Sequence, residues 1–253
     1  MIRSFSKTIN GALWWLLTYF FLLLTGSAAW LYAMLFLKLT VKGQDNIPEN
    51  RQGLILAANH QTFVDSWFIG TFMKRFSYLF LYPRILPWNI PEFKNFYRTW
   101  LLRVIFKHLR CIPVKRGKMT LGETKFFLSE VRKTLLRYNL LLFFEGTRSR
   151  NGQIGAAKEG VGNIIHNNPH CLVVPVRIRG FDQVWPVDKN WFKALFWQPM
   201  KNCFRGQGKT IVSIVFGQPL DLSDSFEQRG NQRGSKEEYK GIEQKIKEAV
   251  VGL

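Results

Sequence analysis

The chain has 253 residues, enough for one hydrophobic core of ordinary size, so a single globular domain is expected. Its formal charge of +19 indicates a polyanionic partner, and its aromatic content of 15% favours a lipid interface over nucleic acid. The three cysteines, Cys111, Cys171 and Cys203, are far apart and odd in number. That pattern argues against a disulfide framework or a metal cluster. We therefore expect a reducing cytoplasmic setting, no bound metal and no nucleic-acid partner.

The first predicted element is a long apolar segment, because the thirty residues 8–37 carry no charge. As one helix it would be about 45 Å long, against about 30 Å of hydrocarbon in a bilayer. Thr25-Gly26-Ser27 near its middle offers a break, so two interpretations are open: one tilted span, or a helical hairpin that enters one leaflet. Basic residues on both flanks favour the hairpin, since positive flanks tend to stay in the cytoplasm. Residues 1–42 are therefore assigned to a membrane anchor.

A cleaved signal peptide is the alternative interpretation of the same segment. A basic start, an apolar run and the small residues Ser27-Ala28-Ala29 are typical of one. Cleavage at that point would leave residues 30–37 as a strongly apolar new terminus. We therefore favour an anchor that is not cleaved.

The rest of the chain alternates between predicted strands and helices. Short apolar runs predict strands at residues 54–58, 77–82, 111–114, 140–144, 172–178 and 211–216. Capping-box patterns predict helices over residues 120–138 and from residue 235 to near the end. Alternation of this kind predicts an α/β fold. We expect one domain, residues 43–253, with a central, mostly parallel or mixed β-sheet covered by helices.

Residues 92–110 predict a basic amphipathic helix. Apolar side chains recur there at steps of three and four, and the lysines and arginines lie mostly off that face. Such a helix either lies in an anionic membrane surface or packs its apolar face on the core and leaves its basic face in solvent. Both interpretations stay open from the sequence.

The candidate catalytic residues are His60 and Asp65. His60 follows the apolar run at residues 54–58, and Asp65 begins a second apolar segment that predicts a helix. If the turn between them folds back, the carboxylate holds one imidazole nitrogen while the other faces a substrate. A substrate hydroxyl would then be the nucleophile. A histidine with an aspartate five positions later also arises by chance, so the pair needs support from elsewhere in the chain.

A second candidate cluster follows the predicted strand at 140–144. The loop that begins Glu145-Gly146-Thr147-Arg148 stands at a strand end, where open α/β sheets place their ligand sites. Arg148, Arg150 and Lys158 are candidates for binding a phosphate, and Glu145 for positioning an arginine or a substrate hydroxyl. The alternative is a solvated ion pair between Glu145 and Arg148, which contributes little.

Four blocks of the chain resemble those of the glycerolipid acyltransferases, most closely the 1-acylglycerol-3-phosphate (lysophosphatidate) acyltransferases. Residues 59–65 (NHQTFVD) resemble the NHxxxxD block, and residues 144–149 (FEGTRS) resemble the FPEGTRS block with Phe144 where proline is usual. Residues 112–116 (IPVKR) resemble the strand ending in arginine that closes the second block, and residues 173–176 (VVPV) resemble the fourth. The segment before residue 111 lacks the glycines expected of the second block.

The resemblance implies roles for particular residues. His60 would be the base, Asp65 its partner, and Arg116, Glu145 and Arg148 the binders of the acceptor's phosphate end. The residues assigned to the substrate site on this basis are Arg116, Glu145, Gly146, Thr147, Arg148 and Lys158.

It also implies the reaction. A fatty acyl group would move from a thioester donor, acyl-coenzyme A or acyl carrier protein, to the free hydroxyl of lysophosphatidate, giving phosphatidate without a cofactor. Glycerol-3-phosphate or another lysolipid is the alternative acceptor, and a non-catalytic basic membrane adaptor is a remote alternative. A lipid hydrolase is disfavoured because the chain has no G-x-S-x-G motif. Anionic membrane lipids are the expected partners, at the inner (cytoplasmic) membrane with the active site facing the cytoplasm.

Overall fold

A six-stranded β-sheet forms the centre of the fold. The computed structural model describes residues 11–49, 51–115, 117, 119–149, 152–185, 208–226 and 235–253. The strands are β1 (Leu37–Lys42), β2 (Leu54–Ala58), β3 (Trp88–Asn89), β4 (Leu140–Phe143), β5 (Leu172–Arg179) and β6 (Thr210–Phe216). Their order across the sheet is β1-β6-β5-β2-β4-β3. Neighbouring strands are parallel except for β5 and β6, so the predicted mostly parallel, mixed sheet is confirmed.

Helices cover both faces of this sheet. They are α1 (Gly11–Phe36), α2 (Asp65–Phe72), α3 (Phe76–Leu81), α4 (Phe93–Phe96), α5 (Trp100–His108), α6 (Leu121–Leu135), α7 (Glu159–His166), α8 (Phe181–Val184) and α9 (Lys236–Gly252). Side chains alternate across a strand, so Leu54 and Leu56 of β2 join the core under α1, α2, α3 and α8. Ile55 and Ala57 join the core under α6, α7 and α9.

The central strand positions the site. β2 is buried along its whole length, as an uninterrupted apolar run in a parallel sheet should be. Ala58 at its end pairs with Phe143 of β4 on one side and Val176 of β5 on the other. Because β2 and β4 are parallel, the residues that follow them leave the sheet at the same edge. The predicted sites after residues 58 and 144 are therefore neighbours.

The N-terminal apolar segment is one helix, so the predicted hairpin is wrong over residues 11–36. The hydroxyl of Thr25 donates to the carbonyl oxygen of Phe21 at 2.8 Å, which is compatible with a continuous helix. A Cβ added at Gly26 would lie 3.5 Å from the ring of Phe76, so this glycine lies where α1 packs on α3. By length and composition, residues 13–36 are long and apolar enough to cross a membrane. Residues 37–42 of the predicted anchor are strand β1; the division into anchor and catalytic domain stays a prediction.

A buried histidine joins α1 to α5. His108 is 1% exposed, and its Nδ1 lies 2.9 Å from the hydroxyl oxygen of Thr18. Its ring packs 3.9 Å from that of Trp14 and 5.7 Å from that of Phe21, centroid to centroid. These contacts attach the N-terminal half of α1 to the folded domain.

Acid should weaken this contact. Burial, with a smaller contribution from Lys107, lowers the pKa of His108 below its ordinary value of 6.5. As the pH falls, the imidazole therefore takes up a proton at a higher pH in the unfolded chain than in the folded one. The stability that the neutral His108 contributes is present above the ordinary histidine pKa, and it is lost as the pH falls from that value to the pKa of the folded state. Thermal unfolding in detergent at about pH 7.5 and about pH 5.5 measures the loss. His108→Gln should remove much of it, and an equal loss in wild type and variant would contradict the assignment.

Three local predictions are wrong. Residues 77–82 are not a strand but lie mostly in helix α3. The prediction failed because a short apolar run lacks the periodicity that distinguishes a buried strand from a buried helix. Residues 111–114 make only isolated bridges, from Cys111 to Asn89 and from Val114 to Glu92, and Pro113 between them has no N–H to donate. The predicted long helix over residues 92–110 is two helices, α4 and α5.

The break between α4 and α5 has a local cause. The Thr99 hydroxyl accepts the N–H of Leu102 at 3.3 Å, which starts a new helix at Trp100. Beyond α5, Arg110 has a φ of 55°, and its buried guanidinium donates to the carbonyl oxygens of Pro83 and Leu86 at 2.9 and 2.8 Å. Residues 92–110 therefore do not form one continuous helix, and the end of this segment packs against residues 83–86.

The two predicted capping boxes are confirmed. Thr120 and Glu123 exchange side-chain-to-backbone hydrogen bonds at the start of α6, and Ser235 and Glu238 do so at the start of α9.

Candidate active site

His60 and Asp65 form a hydrogen-bonded pair at the end of β2. Nδ1 of His60 lies 2.9 Å from Oδ2 of Asp65. The Asp65 side chain is fully buried, whereas 15% of the His60 side chain is exposed. A carboxylate only accepts, so Nδ1 donates this bond, and in the neutral imidazole the lone pair is on Nε2. Among the described residues, Nε2 has no hydrogen-bond partner, which is the arrangement that a general base needs.

Asp65 is fixed by more than the histidine. Its Oδ2 also accepts the backbone N–H groups of Gln61 and Thr62 at 2.6 and 2.7 Å. The hydroxyl of Thr62 donates to Oδ1 at 2.5 Å. Both carboxylate oxygens are therefore occupied, and the turn between residues 60 and 65 is closed on its own aspartate. The spacing from Thr62 to Asp65 is that of a capping box, a signal in the sequence that points to this bond.

Glu145 connects the two strand ends. One carboxylate oxygen accepts the backbone N–H of His60 at 2.9 Å and the other accepts that of Gly155 at 2.7 Å. The residue is 5% exposed. The carboxylate therefore positions the backbone of His60, a role that the sequence did not predict. The predicted contact of Glu145 with substrate stays a prediction.

The loop after Glu145 runs beside His60. The N–H of Ser149 donates to the carbonyl oxygen of His60 at 2.8 Å, so Arg148 is the residue next to this contact. Thr147 and Arg148 are exposed. Gly146 has a φ of +64°, in the left-handed region that favours glycine.

Lys158 lies over the same loop. A Cβ added at Gly146 would come within 3.1 Å of Cγ of Lys158, so the aliphatic stem of the lysine rests on the glycine. The backbone N–H of Lys158 donates to the carbonyl oxygen of Phe144 at 2.9 Å. The exposed ammonium group therefore belongs to the part of the fold that carries Arg148.

Two phenylalanines complete the wall of the site. The ring of Phe143 stacks on that of His60, with 3.9 Å between centroids and 15° between planes. The stack and the bond to Asp65 together fix the orientation of the imidazole. Phe144, which stands where proline is usual in the resembling block, is fully buried. Its N–H donates to the carbonyl oxygen of Ala58 at 3.1 Å, a bond that proline is unable to make.

Further polar residues hold the turn against β5. The side chain of Asn59 donates to the carbonyl oxygen of Ile178 at 3.0 Å and accepts its N–H at 2.8 Å. The side-chain oxygen of Gln61 accepts the N–H of Phe181 at 3.2 Å. Sequence reasoning missed these roles, because the partners are more than one hundred residues away along the chain.

Two predicted phosphate-binding residues, Arg116 and Arg150, lie outside the described residues. Within the described ranges, no group of three or more His, Cys, Asp or Glu side chains is placed to hold a metal ion. The site thus joins a base, its carboxylate partner and two exposed cations, which suits proton removal from a hydroxyl next to an anionic group.

Known proteins resemble this chain in sequence and in fold. The model of the Acyltransferase family matches residues 38–179. A chloroplastic 1-acyl-sn-glycerol-3-phosphate acyltransferase, LPAT1 of Arabidopsis thaliana, is 24% identical over 157 residues, which are 60% of this chain and 38% of that protein. The chain therefore spans well under half the length of this curated relative.

A solved structure shows the same fold. The crystal structure of the 1-acyl-sn-glycerophosphate acyltransferase PlsC from Thermotoga maritima superposes with a TM-score of 0.58 at 19% identity. The match covers 92% of this chain and 79% of that one. The match of the family model to more than half of the chain, with the predicted blocks in their expected order, shows that the chain belongs to the acyltransferase family.

Proposed function

We propose that the protein transfers a fatty acyl group from a thioester donor to the free hydroxyl of lysophosphatidate, giving phosphatidate. The observation that carries the proposal is the 2.9 Å bond between His60 and a fully buried Asp65, with the imidazole partly exposed beside the cationic loop. The similarity to two proteins described as acyltransferases of this acceptor supports the choice of acceptor.

The chemistry needs no nucleophile from the protein. Nε2 of His60 removes the proton from the acceptor hydroxyl as its oxygen attacks the thioester carbonyl. Asp65 stabilises the imidazolium that forms and keeps the ring oriented. The tetrahedral intermediate then expels the donor's thiolate, which takes the proton from Nε2. A new oxygen ester and a free thiol result, and the histidine returns to its starting state.

The cations of the loop position the acceptor. Arg148 presents a planar fork of donors that matches a phosphate, and Lys158 adds a point charge. Arg116, Gly146 and Thr147 are proposed to share this task. Glu145 acts on the histidine's backbone and on Gly155. When the phosphate binds to these cations, the acceptor hydroxyl lies next to Nε2 of His60 in the orientation that the reaction needs.

Arg148→Ala should weaken acceptor binding with a smaller effect on turnover. A hydrogen bond to a charged group contributes about 1.5–3 kcal/mol, so the KM for lysophosphatidate should rise about 10- to 100-fold. Steady-state kinetics with each substrate varied in turn measures this. Arg132→Ala, an exposed arginine on α6 at the other face of the sheet, is the matched control. A rise only in the donor's KM would refute the phosphate assignment.

One assay tests the reaction as a whole. Purified protein in detergent is offered lysophosphatidate, glycerol-3-phosphate and other lysolipids, each with acyl-coenzyme A and with acyl carrier protein. Thiol release and lipid product are both measured. Phosphatidate formed from lysophosphatidate in preference to the other acceptors supports the proposal. Thiol release without any acylated lipid contradicts it.

The setting is proposed to be the cytoplasmic face of a membrane. Both donors are polyanionic and cytoplasmic, which suits a chain with a formal charge of +19. The lysolipid acceptor is a membrane component, and an apolar N-terminal helix keeps the enzyme beside it. Anionic membrane lipids are the further partners that we propose.

A further inference from the structure

Strands β5, β6 and β1 present one side of the sheet to solvent. Side chains alternate across a strand, and Val176, Ile214 and Val41 pack in or against the core under α1, α2, α3 and α8. The residues on either side of each of them therefore point to the opposite side of the sheet. We call six of these residues the basic sheet face: Lys38 and Lys42 of β1, Ile211 and Val215 of β6, and Arg177 and Arg179 of β5.

Helix α9 covers only the first half of β5 on this side of the sheet. Near the C-terminal end of that helix, the carbonyl oxygen of Val251 accepts a hydrogen bond from the guanidinium of Arg177. This contact shows that Arg177 points to the side of α9. Beyond the helix end, Ile211 is 68% exposed. Lys38, Lys42 and Arg179 are exposed as well, so the basic sheet face is accessible to a partner.

The strand register places cations on both sides of an apolar strip. Val215 of β6 pairs with Lys42 of β1 on one side and with Arg177 of β5 on the other. Further along β6, Ile211 pairs with Lys38 of β1. Neighbouring strands lie about 4.8 Å apart, so the two flanking strands are about 10 Å apart. An α-helix with its side chains is about 10–12 Å wide, so the face has the dimensions to hold one helix along β6.

The cations of the basic sheet face have no carboxylate partner. None of Lys38, Lys42, Arg177 and Arg179 forms an ion pair among the residues that the structure describes. Burial, with a smaller contribution from the charge of Arg179, lowers the pKa of Arg177 below its ordinary value. The two guanidinium groups are therefore close enough to repel each other. An anionic partner relieves that repulsion, so charge complementarity indicates an acidic occupant.

The shape of the face favours a protein over a small anion or a membrane. Small ligands occupy concave pockets, whereas three neighbouring strands form a nearly flat surface. Protein interfaces have an apolar centre and a polar rim, which is the arrangement of Ile211 and Val215 between the flanking cations. Helix α1, the candidate membrane helix, packs on the other side of the sheet. Lipid that contacts α1 therefore lies away from the basic sheet face.

The face ends beside the candidate active site. Ile178 lies between the two arginines of β5, and the side chain of Asn59 hydrogen-bonds to its N–H and to its carbonyl oxygen. Asn59 directly precedes His60 in the chain. Arg179 therefore stands at the edge of the sheet where the His60–Asp65 pair lies. A partner on the face reaches that pair around the end of one strand.

We propose that the basic sheet face docks an acidic helix of an acyl carrier protein, which presents its acyl thioester to His60. The helix lies along β6, with an apolar stripe on Ile211 and Val215 and carboxylates facing the cations of β1 and β5. Of the two polyanionic donors, the carrier protein has a surface large enough to contact both flanks. The delivery of a thioester rests on the proposed function; the docking of an acidic helix does not.

Donor kinetics test the docking. Lys38, Lys42 and Arg179 are changed together to Gln in the full chain, and Arg177 is kept because it bonds to α9. An exposed ion pair contributes a factor of about 1.4 to 5, so kcat/KM for acyl carrier protein should fall about 3- to 100-fold, mainly through KM. Acyl-coenzyme A of the same chain length should be used at close to the wild-type rate. An equal loss with both donors would overturn the proposal.

Two further variants separate the face from net charge. The matched control changes three exposed basic residues of α6 to Gln, and it should use carrier protein at close to the wild-type efficiency: Lys125, Arg132 and Arg137. Ile211→Glu places a carboxylate at the centre of the face and should lower that efficiency about tenfold or more, because like charges then meet. An equal loss in the α6 variant would mean non-specific attraction to net charge and would overturn the docking.

A binding measurement separates this inference from the proposed function. Unacylated carrier protein of the same organism, labelled with a fluorophore, is titrated with the enzyme in detergent, and anisotropy gives Kd. The Lys38, Lys42 and Arg179 variant should bind about 3- to 100-fold more weakly than wild type. Such a loss supports the docking even if no acyl group reaches lysophosphatidate, a result that would refute the proposed function alone.

Two binding results overturn the docking. One is an equal Kd for wild type and variant. The other is a variant that keeps its affinity for carrier protein but no longer binds vesicles of phosphatidylcholine and phosphatidylglycerol, which would make the basic sheet face a membrane surface.

Discussion

His60→Ala should reduce acyl transfer by about 10²–10⁴, the usual contribution of a general base. The effect should fall on turnover, because in the proposed mechanism the imidazole acts on the reacting hydroxyl, and the cations proposed to bind the phosphate remain. The fold should survive, since the backbone N–H and carbonyl of residue 60 still bond to Glu145 and Ser149. Initial rates of thiol release with saturating lysophosphatidate measure the loss.

The control for this variant is His170→Ala, which removes an exposed histidine. It should transfer at close to the wild-type rate. Circular dichroism and binding to vesicles check that the His60 variant is folded and still associates with membrane. Near-normal transfer by folded His60→Ala protein would remove this histidine from the mechanism.

Asp65→Asn should give a loss of similar size, about 10²–10⁴, without unfolding the protein. The amide oxygen of asparagine fits the position of Oδ2, where it accepts from His60 and from the N–H groups of Gln61 and Thr62. Its NH2 group then takes the place of Oδ1 and donates to the hydroxyl of Thr62, which is able to accept. The contacts persist while the negative charge that stabilises the imidazolium is lost.

Asp65→Ala separates catalysis from stability at the same position. It leaves four donors without their acceptor in a fully buried place. Each buried unsatisfied group costs about 1–3 kcal/mol, so this variant should lose both activity and several kcal/mol of stability. Asp45→Asn, at an exposed aspartate, is the neutral control. Equal stability of Asp65→Ala and wild type in denaturant unfolding would contradict the described hydrogen bonds.

Much of the architecture follows from short stretches of sequence. The uninterrupted apolar run at residues 54–58 predicts a buried parallel strand, and two capping boxes mark the starts of α6 and α9 correctly. Such signals work because a helix start or a strand end is stabilised by groups three or four residues away. The pair of His60 and Asp65 is also local, since its members are five positions apart.

Where the local signal is ambiguous, the predictions are wrong. Residues 77–82 carry an apolar run that suits a strand or a helix, and packing of Phe76 on Trp30 accompanies the helix. Thr25-Gly26-Ser27 offers a break, yet α1 continues through it, and Gly26 lies against the ring of Phe76 of α3. In both places the tertiary structure departs from a weak local preference.

The parts of the site that join distant segments were decided by the fold alone. No sequence pattern predicts that Glu145 accepts the N–H of His60, that Phe143 stacks on the imidazole ring, or that Asn59 hydrogen-bonds to β5. The same holds for His108 and Thr18, ninety residues apart, whose contact lays α1 along the domain. Residue types and short spacings determine which groups are present and which turns they close. The relative placement of those turns depends on parallel strands that pair across long loops, and only burial of the completed sheet makes that pairing favourable.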